Sequence, residues 1–282
     1  MVYKKHIKDF ELTDILDCGQ CFRWNKQMDV SYIGVFGNNV VKLSKNKNEI
    51  VFEGNFIDEK SIIDYFDLNR DYGELKKRIS STDSYLEKAV EYGSGIRLLN
   101  QDLWETIISF IISANNNIPR IKGIIERLSK KYGKRIEWDG EDYYTFPTPN
   151  ELAKACQKDL RELGLGFRDK YVYETTKRVI EGKFDLNKLE KMSTENARRE
   201  LISLPGVGPK VADCILLFST LKRLDVFPID VWVRRVMNEL YIHNPVEKNV
   251  RKSDILKLAK DKFGDLQGLA QQYLFYWIRE NS

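Results

Sequence analysis

The feature that most constrains this chain is Leu204-Pro205-Gly206-Val207-Gly208-Pro209-Lys210, placed between a helical approach and an apolar run from Val211 to Leu221. Its two glycines tolerate positive φ and let bare backbone come close to a partner. Pro209 suits the first turn of a following helix, where its missing N–H is no loss. A hairpin that ends at a helix start leaves N–H groups free, and such a surface accepts phosphate. Lys210 falls just inside that helix, and Cys214, one turn later, shares its face. After a second break at Phe227-Pro228, Asp230 stands where an N-cap residue would precede Val231-Trp232-Val233.

The rest of the chain predicts an α+β protein in two parts. Residues 20–57 read as short strands over Cys21–Trp24, Ser31–Phe36, Val40–Leu43 and Glu49–Glu53, with Gly37-Asn38-Asn39 as a turn between two of them. From about Glu59 the pattern becomes helical, and from Gln101 onward it reads as nearly all helix, punctuated by Pro147-Thr148-Pro149, Gly164-Leu165-Gly166 and Gly182. The expected division is an amino-terminal antiparallel sheet domain with flanking helices over 1–100, and a helical domain over 101–282 that contains the helix-hairpin-helix at 195–221.

Composition narrows the function classes. With 282 residues, 42% hydrophobic and 31% charged, the chain reads as globular. No apolar run approaches the ~18 residues of a membrane span, and the basic start MVYKKHIKDFEL lacks the apolar core of a secretory signal. The net charge of +4 is modest, and the excess lies after residue 100, so a nucleic-acid face here would be a local patch. Cys18, Cys21, Cys156 and Cys214 make no disulfide framework and suit a reducing compartment. Cys18-Gly-Gln-Cys21 has the spacing of half a zinc site, without the second ligand pair that a closed site needs. Only His6 and His243 are present, which argues against histidine-based catalysis.

Five motifs in order then point to one family. Gly19-Gln20-Cys21-Phe22-Arg23-Trp24, Asn115-Asn116-Asn117-Ile118-Pro119-Arg120, Gly164-Leu165-Gly166-Phe167-Arg168, the hairpin with Asp230, and Ala270-Gln271-Gln272-Tyr273-Leu274-Phe275 together span almost the whole chain. The chain resembles the 8-oxoguanine DNA glycosylase/AP lyases of the helix-hairpin-helix, Gly/Pro…Asp superfamily. The resemblance implies that the protein flips a damaged base out of duplex DNA and excises it. Lys210 would attack the sugar as a Schiff-base nucleophile and then nick the strand by β-elimination. Asp230 would stabilise positive charge on the sugar. The lysine needs a desolvated or cationic setting to lose its proton.

By the same resemblance, the carbonyl of Gly19 would accept the N7–H that oxidation places on guanine. Cys214 and Phe275, the latter on a carboxy-terminal helix that completes the pocket, would sandwich the base, and Gln271 would meet its pairing edge. Asn115 would fill the space that the base leaves, Phe167 would wedge beside it, and Arg120 and Arg168 would bond the orphaned cytosine. Phe167 stands where relatives often have tyrosine. Gly206, Val207 and Gly208 would hold phosphate, and Trp232, at a position where some relatives carry histidine, could donate its indole N–H. Backbone carbonyls of Ile202, Leu204 and Val207 match positions that hold a structural cation. No cofactor is required on this reading.

Two rival enzymes share the hairpin. Many endonuclease III-like enzymes carry a four-cysteine iron–sulfur cluster after the catalytic region, and here no cysteine follows Cys214, so no such cluster is expected. Alkylbase glycosylases usually lack the lysine. A non-catalytic helix-hairpin-helix module that binds only the DNA backbone is the rival from another class. Double-stranded DNA is the expected partner, with no membrane, for a monomer in a prokaryotic cytoplasm.

Overall fold

The computed structural model describes residues 1–47 and 49–281. Five antiparallel strands come first: β1 Val2–His6, β2 Trp24–Lys26, β3 Tyr32–Phe36, β4 Asn39–Asn46 and β5 Glu49–Gly54, in the order β1-β5-β4-β3-β2. Alternation along β5, which buries Ile50, Phe52 and Gly54, aims one face at a core. Helices α1 (Leu12–Leu16) and α2 (Glu59–Tyr65) cover that face, and Phe10, Ile15, Trp24, Tyr32, Phe36, Phe52 and Phe66 fill the space between. Gly34 lies opposite Trp24, and a Cβ there would come within 2.3 Å of the indole.

The sequence reading of this sheet needs two corrections. The first expected strand begins only at Trp24, because Cys21 and Phe22 turn inward and join two different cores. Strand β1 escaped notice because Val2–His6, at the sheet edge, carries Lys4 and Lys5 and has no buried residue to set a pattern.

The helical part comprises α3 (Tyr72–Ser80), α4 (Ser84–Tyr92), α5 (Leu103–Ser113), α6 (Ile118–Tyr132), the short α7 (Pro149–Leu152) and α8 (Gln157–Leu160), α9 (Arg168–Ile180), α10 (Thr194–Ile202), α11 (Pro209–Phe218), α12 (Val231–Met237), α13 (Lys252–Phe263) and α14 (Gln267–Asn281). Helices α5 and α11 are buried over nearly their whole length and form its centre. A second sheet interrupts the stretch expected to be helical. Strands β6 (Arg135–Trp138) and β7 (Glu141–Tyr144) pair about Asp139-Gly140, both at positive φ as a type I′ hairpin requires. Among the described residues no helix is long and apolar enough to cross a membrane.

Packing does not follow residue 100. Tyr72, Ile79, Leu86 and Ala89, from α3 and α4, belong to the helical core, and α4 lies against α14. Polar pins join the sheet region to it. Arg97 donates to the carbonyls of Lys8, Asp9 and Asp67 at 3.1, 2.9 and 3.0 Å. The Nζ of Lys222, after α11, donates to the carbonyls of Leu98 and Leu99 at 2.8 Å each.

Burial pushes the Lys222 ammonium from its ordinary value of 10.5 down to about 7. The unfolded chain therefore holds this proton more tightly between those values, and stability gains from Lys222 as pH rises through that window. Unfolding free energy, measured by denaturant titration between pH 7 and 10, should rise more steeply with pH in the wild type than in Lys222→Met. Parallel slopes would remove Lys222 from this role.

Candidate active site

The hairpin is made by α10, the turn at 203–208 and α11. Gly206 has a φ of +80°, and a Cβ there would meet the Tyr171 ring at 2.6 Å, so both conformation and space demand glycine. Gly208 does not use the positive φ that a glycine permits. It caps α11 with a φ of −94°, and a Cβ on it would meet open space. Gly208 and Pro209 are exposed, whereas Val207 and Leu204 are buried. The free N–H groups of the α11 start therefore face outward, where an anion can reach them.

Lys210 lies in the first turn of α11 with its Nζ 5.6 Å from the centre of the Phe110 ring. It hydrogen-bonds to Cys214 one turn on. Asp230 is the N-cap of α12, where its carboxylate accepts the Val233 N–H at 2.8 Å. Cys214, when ionised, and then the Asp230 carboxylate hold Lys210 above its ordinary value, while burial works the other way. Burial also pushes the Cys214 thiol up to about 11. At neutral pH Cys214 is a thiol, so its charge is absent there, and burial, which favours the neutral amine, outweighs the pull of the Asp230 carboxylate on the Lys210 proton.

A cavity of about 60 Å³ collects these groups with the other expected base contacts: Gly19, Gln271 and Phe275 line it together with Lys210, Cys214 and Asp230. This is well below the ~300 Å³ at which small-molecule sites begin, so a base enters only if a wall moves. Gly19 has a φ of +87°, which aims its peptide in a way that a side chain would resist. Its loop is tied down on both sides. Gln272 donates to the Cys18 carbonyl at 2.8 Å, and Gln20 donates to the Ile15 and Arg97 carbonyls at 2.8 and 2.7 Å. Cys18, Phe110, Phe218, Pro228, Val233 and Gln272 complete the lining, and sequence reasoning missed them. Phe110 lies within a helix that is buried almost throughout, where nothing separates a site residue from a core residue. Gln272 adjoins Gln271, but its contact is to backbone distant in sequence.

The opposite-strand group splits in two. Asn115 is exposed at a φ of +51°, Arg120 is exposed beside it, and Phe167 projects with 55% of its surface free. Arg168 is turned inward instead, 2% exposed. It donates to the carbonyls of Ala114 (2.8 and 2.6 Å), Asn115 (2.6 Å) and Leu165 (3.3 Å). In this state its fork holds the Asn115 loop and is not presented to DNA. Trp232 is exposed with Arg235 stacked over it at 5.4 Å. Cys18 and Cys21 are buried free thiols, and among the described residues no three His, Cys, Asp or Glu side chains gather as metal ligands.

Because Arg168 is enclosed by three carbonyls and Arg120 is not, truncation should separate them. Arg168→Ala is expected to cost about 1–3 kcal/mol of folding stability, whereas Arg120→Ala should stay within about 0.5 kcal/mol. Denaturant titration of both variants checks this, and equal losses would contradict the inward placement of Arg168.

Comparison with known proteins shows the family. Residues 2–107 match the 8-oxoguanine DNA glycosylase N-terminal domain, and residues 108–260 match the HhH-GPD superfamily base excision DNA repair protein. A probable N-glycosylase/DNA lyase of Methanothermobacter thermautotrophicus is 32% identical over 71% of this chain and 68% of its own length. The N-glycosylase/DNA lyase of Saccharomyces cerevisiae is 34% identical over 82% of this chain and 68% of its own. The crystal structure of the Clostridium acetobutylicum 8-oxoguanine glycosylase/lyase with double-stranded DNA containing cytosine opposite 8-oxoguanine superposes with a TM-score of 0.92 at 43% identity, covering 100% of this chain and 98% of that one. The chain belongs to the HhH-GPD superfamily of base-excision DNA repair proteins, in its 8-oxoguanine glycosylase branch.

Proposed function

We propose that this protein excises 8-oxoguanine from duplex DNA and then cleaves the strand, with Lys210 as nucleophile. The observation that carries the reading is the single cavity that joins Lys210, Cys214 and Asp230 to Gly19, Gln271 and Phe275, from four separate parts of the chain. The cavity's contents suit this chemistry step by step. The neutral Lys210 amine attacks the sugar C1′, and the bond from C1′ to the base breaks with its electron pair going to the leaving base, which takes up a proton. The attached amine then passes one proton to the ring oxygen as the C1′–O4′ bond breaks, which leaves a protonated imine, and loss of the 2′ proton that this imine acidifies expels the 3′ phosphate. Asp230 offsets the positive charge that grows on the sugar, fixed in place by its cap to Val233.

The base contacts follow the same logic. A carbonyl at Gly19 accepts from the N7–H of oxidised guanine and repels the bare N7 of guanine. Gln271, 5% exposed, offers both donor and acceptor to the pairing edge. Cys214 and Phe275 supply the two apolar faces. On the outer surface, Asn115, Phe167 and Arg120 meet the gap and the orphaned cytosine, while Gly206, Val207 and Gly208 hold phosphate, with Trp232 beside them. Arg168 contributes by holding the Asn115 loop. The hairpin carbonyls of Ile202, Leu204 and Val207 are hard oxygen donors of the kind that takes a monovalent or alkaline-earth cation, although that of Leu204 already accepts the Val207 N–H at 3.1 Å. Such an ion would steady the turn and takes no part in the chemistry.

The test is covalent trapping. A labelled duplex with 8-oxoguanine opposite cytosine, treated with protein and borohydride, should give a protein–DNA adduct that is absent with undamaged DNA and with Lys210→Gln. Asp230→Asn should keep the fold and lose at least tenfold in excision rate. Binding without base release would point to the bare DNA-binding module, and release without an adduct would remove Lys210 from its covalent role.

A further inference from the structure

We infer that Arg279 is a positioning residue that fixes the aromatic wall of the base cavity against Gly19, an inference that rests on the reading of that cavity given above. Arg279 lies one helical turn after Phe275 on α14, so the two side chains share a face. Its guanidinium carbon stands 5.4 Å from the centre of the Phe275 ring and 5.7 Å from that of Tyr276. Nη2 reaches across to the other wall and donates at 2.7 Å to the carbonyl of Asp17, two residues before Gly19. Nε is held at 2.9 Å by the Glu280 carboxylate. A Cβ built on Gly19 would lie 3.4 Å from Nη1 of Arg279 and 3.6 Å from the edge of Phe275. Ring, guanidinium and Gly19 backbone are thus packed against one another, and Arg279 touches both walls without lining the cavity itself.

The remaining nitrogen is the telling one. Nη1 is buried and has no hydrogen-bond partner in the structure. A solvated surface arginine keeps all its donors in water, and an enclosed one without a partner loses that hydration for nothing. The arrangement persists because the other two nitrogens and the ring attraction fix the fork, a geometry that a flexible ammonium cannot reproduce. Two further bonds run in the same direction. Gln272 donates to the Cys18 carbonyl at 2.8 Å, and the Tyr276 hydroxyl bonds Asp14 at 3.1 Å. Helix α14 is therefore laced to α1 and the loop that follows it, and Arg279 is the strand of that lacing that also touches the ring. Neither Arg279 nor this link was apparent in the sequence.

Seating a base requires Phe275 to shift and then stack, whereas cleavage at a ready-made abasic site requires only Lys210 and the sugar. Arg279→Met, which keeps bulk and loses the fork, should lower single-turnover excision of 8-oxoguanine opposite cytosine by about tenfold, with borohydride trapping on an abasic duplex changed less than twofold. Arg279→Lys should fall between. In the double variant Arg279→Met/Phe275→Ala, excision should be no slower than in Phe275→Ala alone, because the arginine acts through the ring. Wild-type excision by Arg279→Met, an equal loss of abasic-site trapping, or fully additive losses in the double variant would each overturn the inference. Undiminished excision by Phe275→Ala would instead overturn the cavity reading on which it rests.

Discussion

On the proposed reading Lys210 must act as a neutral amine, and its buried surroundings pull its proton in opposite directions. The Asp230 carboxylate that favours the ammonium also caps α12, and in the proposed reaction it would offset positive charge on the sugar. The Cys214 thiol, pushed up to about 11, adds no charge of its own at neutral pH. Burial is the influence that works against the ammonium, and the free cavity of about 60 Å³ leaves no room for a base. Filling that space with a flipped base and its sugar excludes water and strengthens the one effect that favours the neutral amine.

That scheme depends on walls that hold their places, and the walls come from opposite ends of the chain. Gly19 belongs to the loop after α1, and Phe275 to the final helix. The sheet region carries no catalytic group, and its contribution is to hold the Gly19 peptide at its unusual φ. The core around Trp24 and Phe66 fixes the sheet, Arg97 ties the loop ends to it, and Gln20 locks the residue next to Gly19. A shift of the sheet against α14 would move a carbonyl that must tell N7–H from a bare N7.

What could be read from the sequence was local. Lys210, Asp230 and the hairpin were legible because proline, glycine and a cap aspartate constrain backbone within a few residues, and α+β organisation was legible from periodicity. The strand at Val2–His6 was not, since an edge strand with exposed lysines buries nothing that would set a pattern. The Asp139-Gly140 hairpin did carry its turn signal, but the charged strands beside it lack apolar alternation. Both hairpin glycines permit a positive φ but only Gly206 adopts it, and the Tyr171 ring, distant in sequence, leaves no room there for a Cβ. Site residues supplied by tertiary contact, such as Phe110 under the lysine and Gln272 behind Gly19, have no local signature at all.

Arg168 shows most clearly where residue type stops and environment begins. Its sequence neighbours suggested a reader of the opposite strand, and a guanidinium fork suits that work. The fold gives the fork three carbonyls first, and two of them belong to Ala114 and Asn115, the turn that keeps Asn115 at a φ of +51°. Reaching a cytosine would strip those carbonyls of their partner and free the loop that must fill the gap beside it. Arg120 carries no such obligation. It is exposed, and its longest commitment is a 3.4 Å contact to Gly164. The two arginines thus differ: Arg168 holds the loop from within, and on the proposed reading the exposed Arg120 would meet the orphaned base.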